Sequence, residues 1–128
     1  MQIEPQASAF AKRYAGGEAQ VVWTTLVADL ETPVSAFLKI AGNRPLSFLF
    51  ESVEGGAVRG RYSIIGLEPD LIWRSAAGRS EIGKVARGKT GPFTPCKQAP
   101  LASLRALVAE SRITLPDTLP PMAAGIFG

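Results

Sequence analysis

The sequence predicts an α+β fold in which antiparallel β-hairpins form a sheet and two or three helices pack on it. Apolar residues recur at helical spacing over residues 33–41 and 101–111. Between those segments, short runs of β-branched and apolar residues are separated by glycine-containing turns, which is typical of hairpins. The 128 residues are 46% hydrophobic and 20% charged, as expected for one globular domain or part of one.

The first third of the chain predicts a helix, a strand and a second helix. Residues 6–14 place two aromatic side chains on one helical face and are followed by a glycine pair, so they predict a short helix. Residues 21–27 are rich in β-branched side chains and predict a strand. The helix over residues 33–41 has the clearest boundaries, because Thr32 suits the N-cap position and Pro33 suits the first helical turn.

Two hairpins are predicted in the middle of the chain. Residues 46–50 are almost all apolar and predict a buried strand, and residues 59–66 predict the strand that returns after a turn at Gly55-Gly56. Residues 70–75 and 80–85 predict a second pair of strands around another glycine-containing turn. The polar end of the first hairpin is a candidate site.

The last third predicts a loop, a helix and a strand. Prolines and glycines over residues 88–100 predict an irregular loop. Residues 101–111 carry an apolar stripe at helical spacing, and the apolar residues 122–127 predict the start of a buried strand. An apolar C-terminus is unusual, so we expect the chain to be a fragment whose unpaired strand edge favours aggregation or dimerisation.

The composition excludes several classes of site. The sequence contains no histidine, which excludes a Ser/His/Asp triad, a Cys/His dyad and a histidine-ligated zinc ion. Cys96 is the only cysteine, so no intrachain disulfide or cysteine cluster can form, which fits a reducing compartment. Neither a signal peptide nor a membrane-spanning segment is evident, and we expect a cytoplasmic protein with no membrane partner.

Residues 74–97 are strongly basic. Such a stretch could attract phosphates or an acidic partner, but it holds few aromatic side chains that could stack on bases. A charged, solvated hairpin is favoured over nucleic-acid binding, and a non-catalytic binding module with a basic hairpin remains an alternative. The one acidic residue is Glu81, and the six basic residues are Arg74, Arg79, Lys84, Arg87, Lys89 and Lys97.

Polar residues on both arms of the first predicted hairpin form the candidate site. Glu51, Ser52 and Arg61 supply an anion, a hydroxyl and a cation, with Tyr62 and Ser63 beside them. These groups could bind the ammonium and carboxylate of an amino acid, while apolar neighbours border its side chain. A surface salt bridge across the hairpin is the alternative that composition alone favours.

Three motifs resemble the N-terminal region of anthranilate synthase component I, a chorismate-utilising enzyme. They are Glu-Thr-Pro-Val-Ser-Ala-Phe-Leu-Lys at 31–39, Phe-Leu-Phe-Glu-Ser-Val-Glu-Gly-Gly at 48–56 and Arg-Gly-Arg-Tyr-Ser-Ile-Ile-Gly at 59–66. The ending at 119–128 also resembles the point where that family continues into its next sheet segment. The similarity is closest over residues 20–75 and extends in order along residues 1–128, which would form the N-terminal region.

The resemblance implies the activity of the full-length enzyme. That enzyme converts chorismate and glutamine-derived ammonia into anthranilate and pyruvate in L-tryptophan biosynthesis. It uses Mg²⁺ and a glutamine amidotransferase subunit, component II. The catalytic and metal-binding residues of the family lie in a C-terminal part, so no catalytic residue and no metal ligand is expected in this chain. Aminodeoxychorismate synthase component I shares the architecture and is the alternative enzyme.

The resemblance also implies a feedback site for L-tryptophan. The family's Leu-Leu-Glu-Ser motif matches residues 49–52, with Phe50 in place of the second leucine. Glu51 and Ser52 would contact the ammonium and backbone atoms of tryptophan, and Arg61 matches a basic residue on the returning strand. Leu49 and Phe50 would form the pocket wall. Inhibition at a distance would require different tryptophan affinities in two arrangements of the enzyme.

Overall fold

The computed structural model describes residues 1–51 and 62–128, which confirm the predicted α+β class. The chain forms two compact units, one comprising Ala28–Pro100 and the other combining Met1–Val27 with Leu101–Gly128. In chain order the elements are α1 (Ala7–Ala15), α2 (Pro33–Ile40), β1 (Phe48–Glu51), β2 (Ser63–Gly66), β3 (Leu71–Ala76), β4 (Arg79–Ala86), β5 (Lys89–Pro95) and α3 (Pro100–Glu110). The strands form two separate antiparallel sheets rather than one.

The three predicted helices are confirmed, with bounds displaced by one residue at most ends. In α1, the rings of Phe10 and Tyr14 stack with centroids 5.8 Å apart. The Gln20 side chain then donates to the Phe10 carbonyl at 3.1 Å, which fastens the following loop to α1. In α3, Ser103 and Leu107 are buried and lie four residues apart on one face.

The start of α2 is fixed by a reciprocal cap. The Ser35 backbone amide donates to Thr32 Oγ1 at 3.1 Å, and the Thr32 backbone amide donates to Ser35 Oγ at 2.9 Å. Pro33 occupies the first turn, where its missing N–H leaves no helical hydrogen bond unmade. Ala41 follows α2 and is buried. These contacts confirm the predicted helix start, and α2 lies against β1.

β1 and β2 form a two-stranded antiparallel sheet. The register places Phe48 opposite Gly66 and Glu51 opposite Ser63. The strand predicted over residues 46–50 is confirmed from residue 48 onward, since Leu46 has a positive φ of 58° that is incompatible with a strand. The predicted turn at Gly55-Gly56 and the beginning of the predicted return strand lie outside the described residues.

β3, β4 and β5 form a three-stranded antiparallel sheet with β4 in the centre. Two-residue loops connect the strands. Ala77 and Gly78 have φ values of 50° and 75°, and Arg87 and Gly88 have values of 51° and 73°. Positive φ at both central positions is the geometry that matches the twist of paired strands in type I′ turns. The predicted hairpin of residues 70–75 and 80–85 is thus confirmed.

The prediction of an irregular loop over residues 88–100 is wrong for its first half. Lys89–Pro95 form β5, which pairs with β4 along its length apart from an irregularity at Gly83/Val85. β5 contains two prolines, which an edge strand tolerates because one of its sides needs no hydrogen-bond donors. The prediction from proline and glycine content therefore took an edge strand for a loop.

Two other predicted strands are absent. Within residues 21–27 the structure has one isolated bridge, in which Trp23 and Glu4 exchange two backbone hydrogen bonds of 2.8 Å. Residues 122–127 form turns and irregular backbone, so the sheet edge predicted there is also wrong. In both segments the apolar residues lack a neighbouring strand with which to form a ladder.

Few apolar side chains are buried in the described residues. Ala41 and Leu107 are buried, whereas Leu30, Val34 and Leu38 are 97%, 51% and 63% exposed. With so little buried apolar surface, caps, tight turns and cross-strand pairs contribute a larger share of the stability of each unit.

Candidate functional site

The described part of the candidate site is the end of the two-stranded sheet. Glu51 is the last residue of β1, and its side chain is exposed. The antiparallel register places Ser63, the first residue of β2, directly opposite it. Ser52 and Arg61, the two other predicted contact residues, lie outside the described residues. The structure therefore brings Glu51 together with Ser63, which the sequence analysis placed beside the candidate residues but did not assign as a contact.

The alternation of side chains divides this sheet into two faces. Successive residues of a strand point to opposite faces, and directly paired residues share a face. One face carries Leu49, Glu51, Ser63 and Ile65, and the other carries Phe48, Phe50, Ile64 and Gly66. Of the two predicted wall residues, Leu49 shares the face of Glu51 and Phe50 does not.

The face that carries Glu51 is polar at the hairpin end and apolar further along. Glu51 and Ser63 are exposed, whereas the next pair on this face, Leu49 and Ile65, is half-buried. A carboxylate accepts hydrogen bonds and a hydroxyl can accept or donate them. The pair can therefore hold a cationic group such as an ammonium, with an apolar body lying along the face.

The opposite face is aromatic. The rings of Phe48 and Phe50 lie with centroids 4.6 Å apart and planes inclined by 33°. Phe48 also covers its partner Gly66 so closely that a Cβ atom at Gly66 would overlap the ring. The close approach of ring and backbone requires glycine at this position.

A network of hydrogen bonds surrounds the start of α2, which lies against β1. Lys39 forms an ion pair with Glu31, and Ser35 Oγ donates to the Glu31 carboxylate at 2.7 Å. The hydrogen bond from Lys39 and then that from Ser35 hold the pKa of Glu31 below its usual value. These contacts stabilise the helix start beside the strand that ends in Glu51.

The basic residues of the 74–97 stretch do not form one cluster on the three-stranded sheet. Arg74 pairs with Glu81 at 2.6 Å, and its guanidinium lies 3.6 Å from the centroid of the Phe93 ring. Arg79 lies at the β3–β4 turn, whereas Arg87 lies at the β4–β5 turn, at the other end of β4. Arg74 thus has a structural role, Arg79 and Arg87 lie at opposite ends of the sheet, and Lys97 lies beyond the end of β5.

Residues 1–51 and 62–128 contain no group of three or more histidine, cysteine, aspartate or glutamate side chains that could hold a metal ion. In the same residues, no helix is long and apolar enough to span a bilayer.

The chain is similar along most of its length to the N-terminal part of longer proteins. It is 50% identical over 119 residues to a protein of Cereibacter sphaeroides, which covers 93% of the chain and 24% of the relative. It is 41% identical over 128 residues to a Synechocystis protein, covering 98% of the chain and 24% of the relative. A Neisseria meningitidis protein is 62% identical over 54 residues, covering 42% of the chain and 11% of the relative.

These relatives define a class of long proteins of which the chain matches an N-terminal segment. All three are named anthranilate synthase component 1. The chain is therefore related to the N-terminal part of anthranilate synthase component 1, and it spans about a quarter of the length of the first two relatives. No family model and no solved structure matches the chain.

Proposed function

We propose that residues 1–128 form the N-terminal regulatory part of an anthranilate synthase component I and bind L-tryptophan as a feedback inhibitor. The similarity to proteins of that name, 50% over 93% of the chain in one case, is the observation that carries the proposal. The placement of Glu51 at the exposed end of β1 supports a binding site at this hairpin.

The proposed reaction belongs to the full-length protein. It converts chorismate and ammonia into anthranilate and pyruvate, and component II releases the ammonia from glutamine. We assign the catalytic residues and the Mg²⁺ ligands to the part of the enzyme that this chain does not cover. The chain itself then contributes regulation rather than chemistry.

In the proposed site, the Glu51 carboxylate accepts hydrogen bonds from the ammonium group of tryptophan. Ser52 and Arg61 are proposed as further contacts, and Leu49 lies on the face of the strand that carries Glu51. An ammonium–carboxylate hydrogen bond is charge-assisted and stronger than a neutral one. Inhibition follows if tryptophan binds an inactive arrangement of the enzyme more tightly than the active one.

The proposal is tested with the full-length natural protein and its amidotransferase partner, by following anthranilate formation while L-tryptophan is titrated. Ser52→Phe replaces a hydrogen-bonding hydroxyl with a bulky ring and is expected to abolish inhibition while leaving the uninhibited rate near the wild-type value. Thr94→Phe, at an exposed position of β5, is the matched control and should remain inhibited.

Two results would contradict the proposal. Inhibition of the Ser52→Phe protein at the wild-type tryptophan concentration would remove Ser52 from the site. Formation of aminodeoxychorismate in place of anthranilate would assign the protein to the alternative chorismate-utilising enzyme.

A further inference from the structure

The pairing of β1 with β2 places a hydroxyl beside Glu51 within the described residues. We infer that Ser63 is a further binding residue of the proposed site and that its hydroxyl accepts a hydrogen bond from the ammonium group held by Glu51. The inference rests on the proposed function, because it assigns a role in the same tryptophan site.

The register gives the proximity that this role requires. Directly opposed residues of an antiparallel pair have Cβ atoms about 4.5–5.5 Å apart and share one face of the sheet. Glu51 and Ser63 are such a pair, and both side chains are exposed. An ammonium nitrogen above the pair can therefore lie within about 3 Å of a carboxylate oxygen and of the Ser63 hydroxyl at once.

The chemistry of the face indicates which end of an amino acid lies there. A ligand carboxylate next to Glu51 would be repelled, whereas an ammonium has three N–H donors to distribute between the two side chains. The next pair along the face, Leu49 and Ile65, is half-buried and apolar. The site would thus favour an amino acid whose α-ammonium adjoins an apolar side chain.

The inference is tested by calorimetric titration of L-tryptophan into the full-length protein. Ser63→Ala is expected to weaken binding roughly tenfold to a hundredfold, as for a hydrogen bond to a charged group. Ser63→Thr, which keeps the hydroxyl, should bind within about twofold of wild type. Thr94→Ala removes an exposed hydroxyl from the other sheet and should leave binding unchanged.

A double-mutant cycle tests whether both residues act on the same group. Glu51→Gln alone is expected to weaken binding about tenfold or more, and Ser63→Ala added to Glu51→Gln should cost less than it does alone. If the loss of affinity in the double variant equals the product of the two single losses, the two residues do not act on one ammonium group and the proposed geometry is wrong. Loss of binding in Ser63→Thr as large as that in Ser63→Ala would overturn the role of the hydroxyl.

The outcomes separate this inference from the proposed function. Wild-type affinity in Ser63→Ala together with weak binding in Glu51→Gln overturns the role of Ser63 and leaves the tryptophan site standing. A wild-type protein that neither binds nor is inhibited by tryptophan overturns both.

Discussion

Both sheets contain a phenylalanine–glycine pair across neighbouring strands, but the distance between ring and glycine differs. In each, a phenylalanine ring lies over the glycine directly opposite it, an arrangement in which the ring covers backbone that glycine leaves exposed. A Cβ at Gly83 would lie 3.0–3.2 Å from the nearest ring atoms of Phe93. A Cβ at Gly66 would overlap the ring of Phe48. The packing is therefore tighter in the two-stranded sheet, which carries the candidate site.

The difference reflects what else supports each sheet. The three-stranded sheet has two tight turns, and Arg74 joins its strands by pairing with Glu81 and covering Phe93. The two-stranded sheet has a single ladder, and a two-stranded hairpin alone is at best marginally stable in water. Close ring-to-backbone packing and the neighbouring α2 are thus more important for β1 and β2.

The largest effect that would test this contrast is expected from Gly66→Ala. The added methyl group forces the Phe48 ring away from the strand and from its contact with Phe50, so we expect destabilisation by about 2–3 kcal/mol. Guanidinium denaturation followed by circular dichroism measures the change. Phe48→Leu in the same protein should recover part of the loss, and no difference between Gly66→Ala and wild type would contradict the tight packing.

A smaller loss is expected from the equivalent change in the other sheet. Gly83→Ala requires the Phe93 ring to move by only a few tenths of an ångström, and we expect destabilisation by about 1 kcal/mol. The same denaturation experiment compares the two variants. A cost for Gly83→Ala equal to or above that for Gly66→Ala would break the proposed contrast between the sheets.

The β3–β4 turn offers a modest gain in stability. Ala77 adopts a φ of 50°, which costs an alanine about 1–2 kcal/mol, whereas glycine adopts it freely. Ala77→Gly also adds freedom to the unfolded chain, so we expect a net stabilisation of about 0.5 kcal/mol. The midpoint of thermal unfolding reports the change, and Ser75→Gly in the adjoining strand is a control that should destabilise.

The smallest effect concerns the polar network beside the two-stranded sheet. The lowered pKa of Glu31 means that its stabilising contribution is complete above the usual glutamate pKa and is lost as the pH falls through the lowered value. Lys39→Met removes the first cause of the shift and should raise the pKa of Glu31 toward its usual value. Carboxyl NMR titration measures this, and an unchanged pKa would exclude Lys39 as the cause.

Local signals predicted part of the fold correctly. Thr32 and Pro33 determine the start of α2 through contacts within four residues, and Ala77-Gly78 forms the expected tight turn. The wrong predictions concern segments in which the presence of a partner strand determines whether a strand forms. Residues 21–27 have strand-like composition, but one bridge to Glu4 is their whole ladder, and β5 exists because β4 supplies a partner for it.

Part of the candidate site could also be predicted from sequence. Glu51 could be placed on the first hairpin from sequence, and strand alternation already implies that Phe50 faces away from it. Ser63 could not be paired with Glu51, because the register of a hairpin depends on the length and type of its turn. The roles of Ser52 and Arg61 remain predictions that rest on the family resemblance.

The two prolines of β5 also affect how the three-stranded sheet can grow. Pro92 and Pro95 carry no amide hydrogen, so neither residue can donate a backbone hydrogen bond to an incoming strand. β3, at the other edge, contains no proline, so each of the alternate amides that face its free side can donate. Any further strand, from a neighbouring segment or from another molecule during aggregation, is therefore directed to β3.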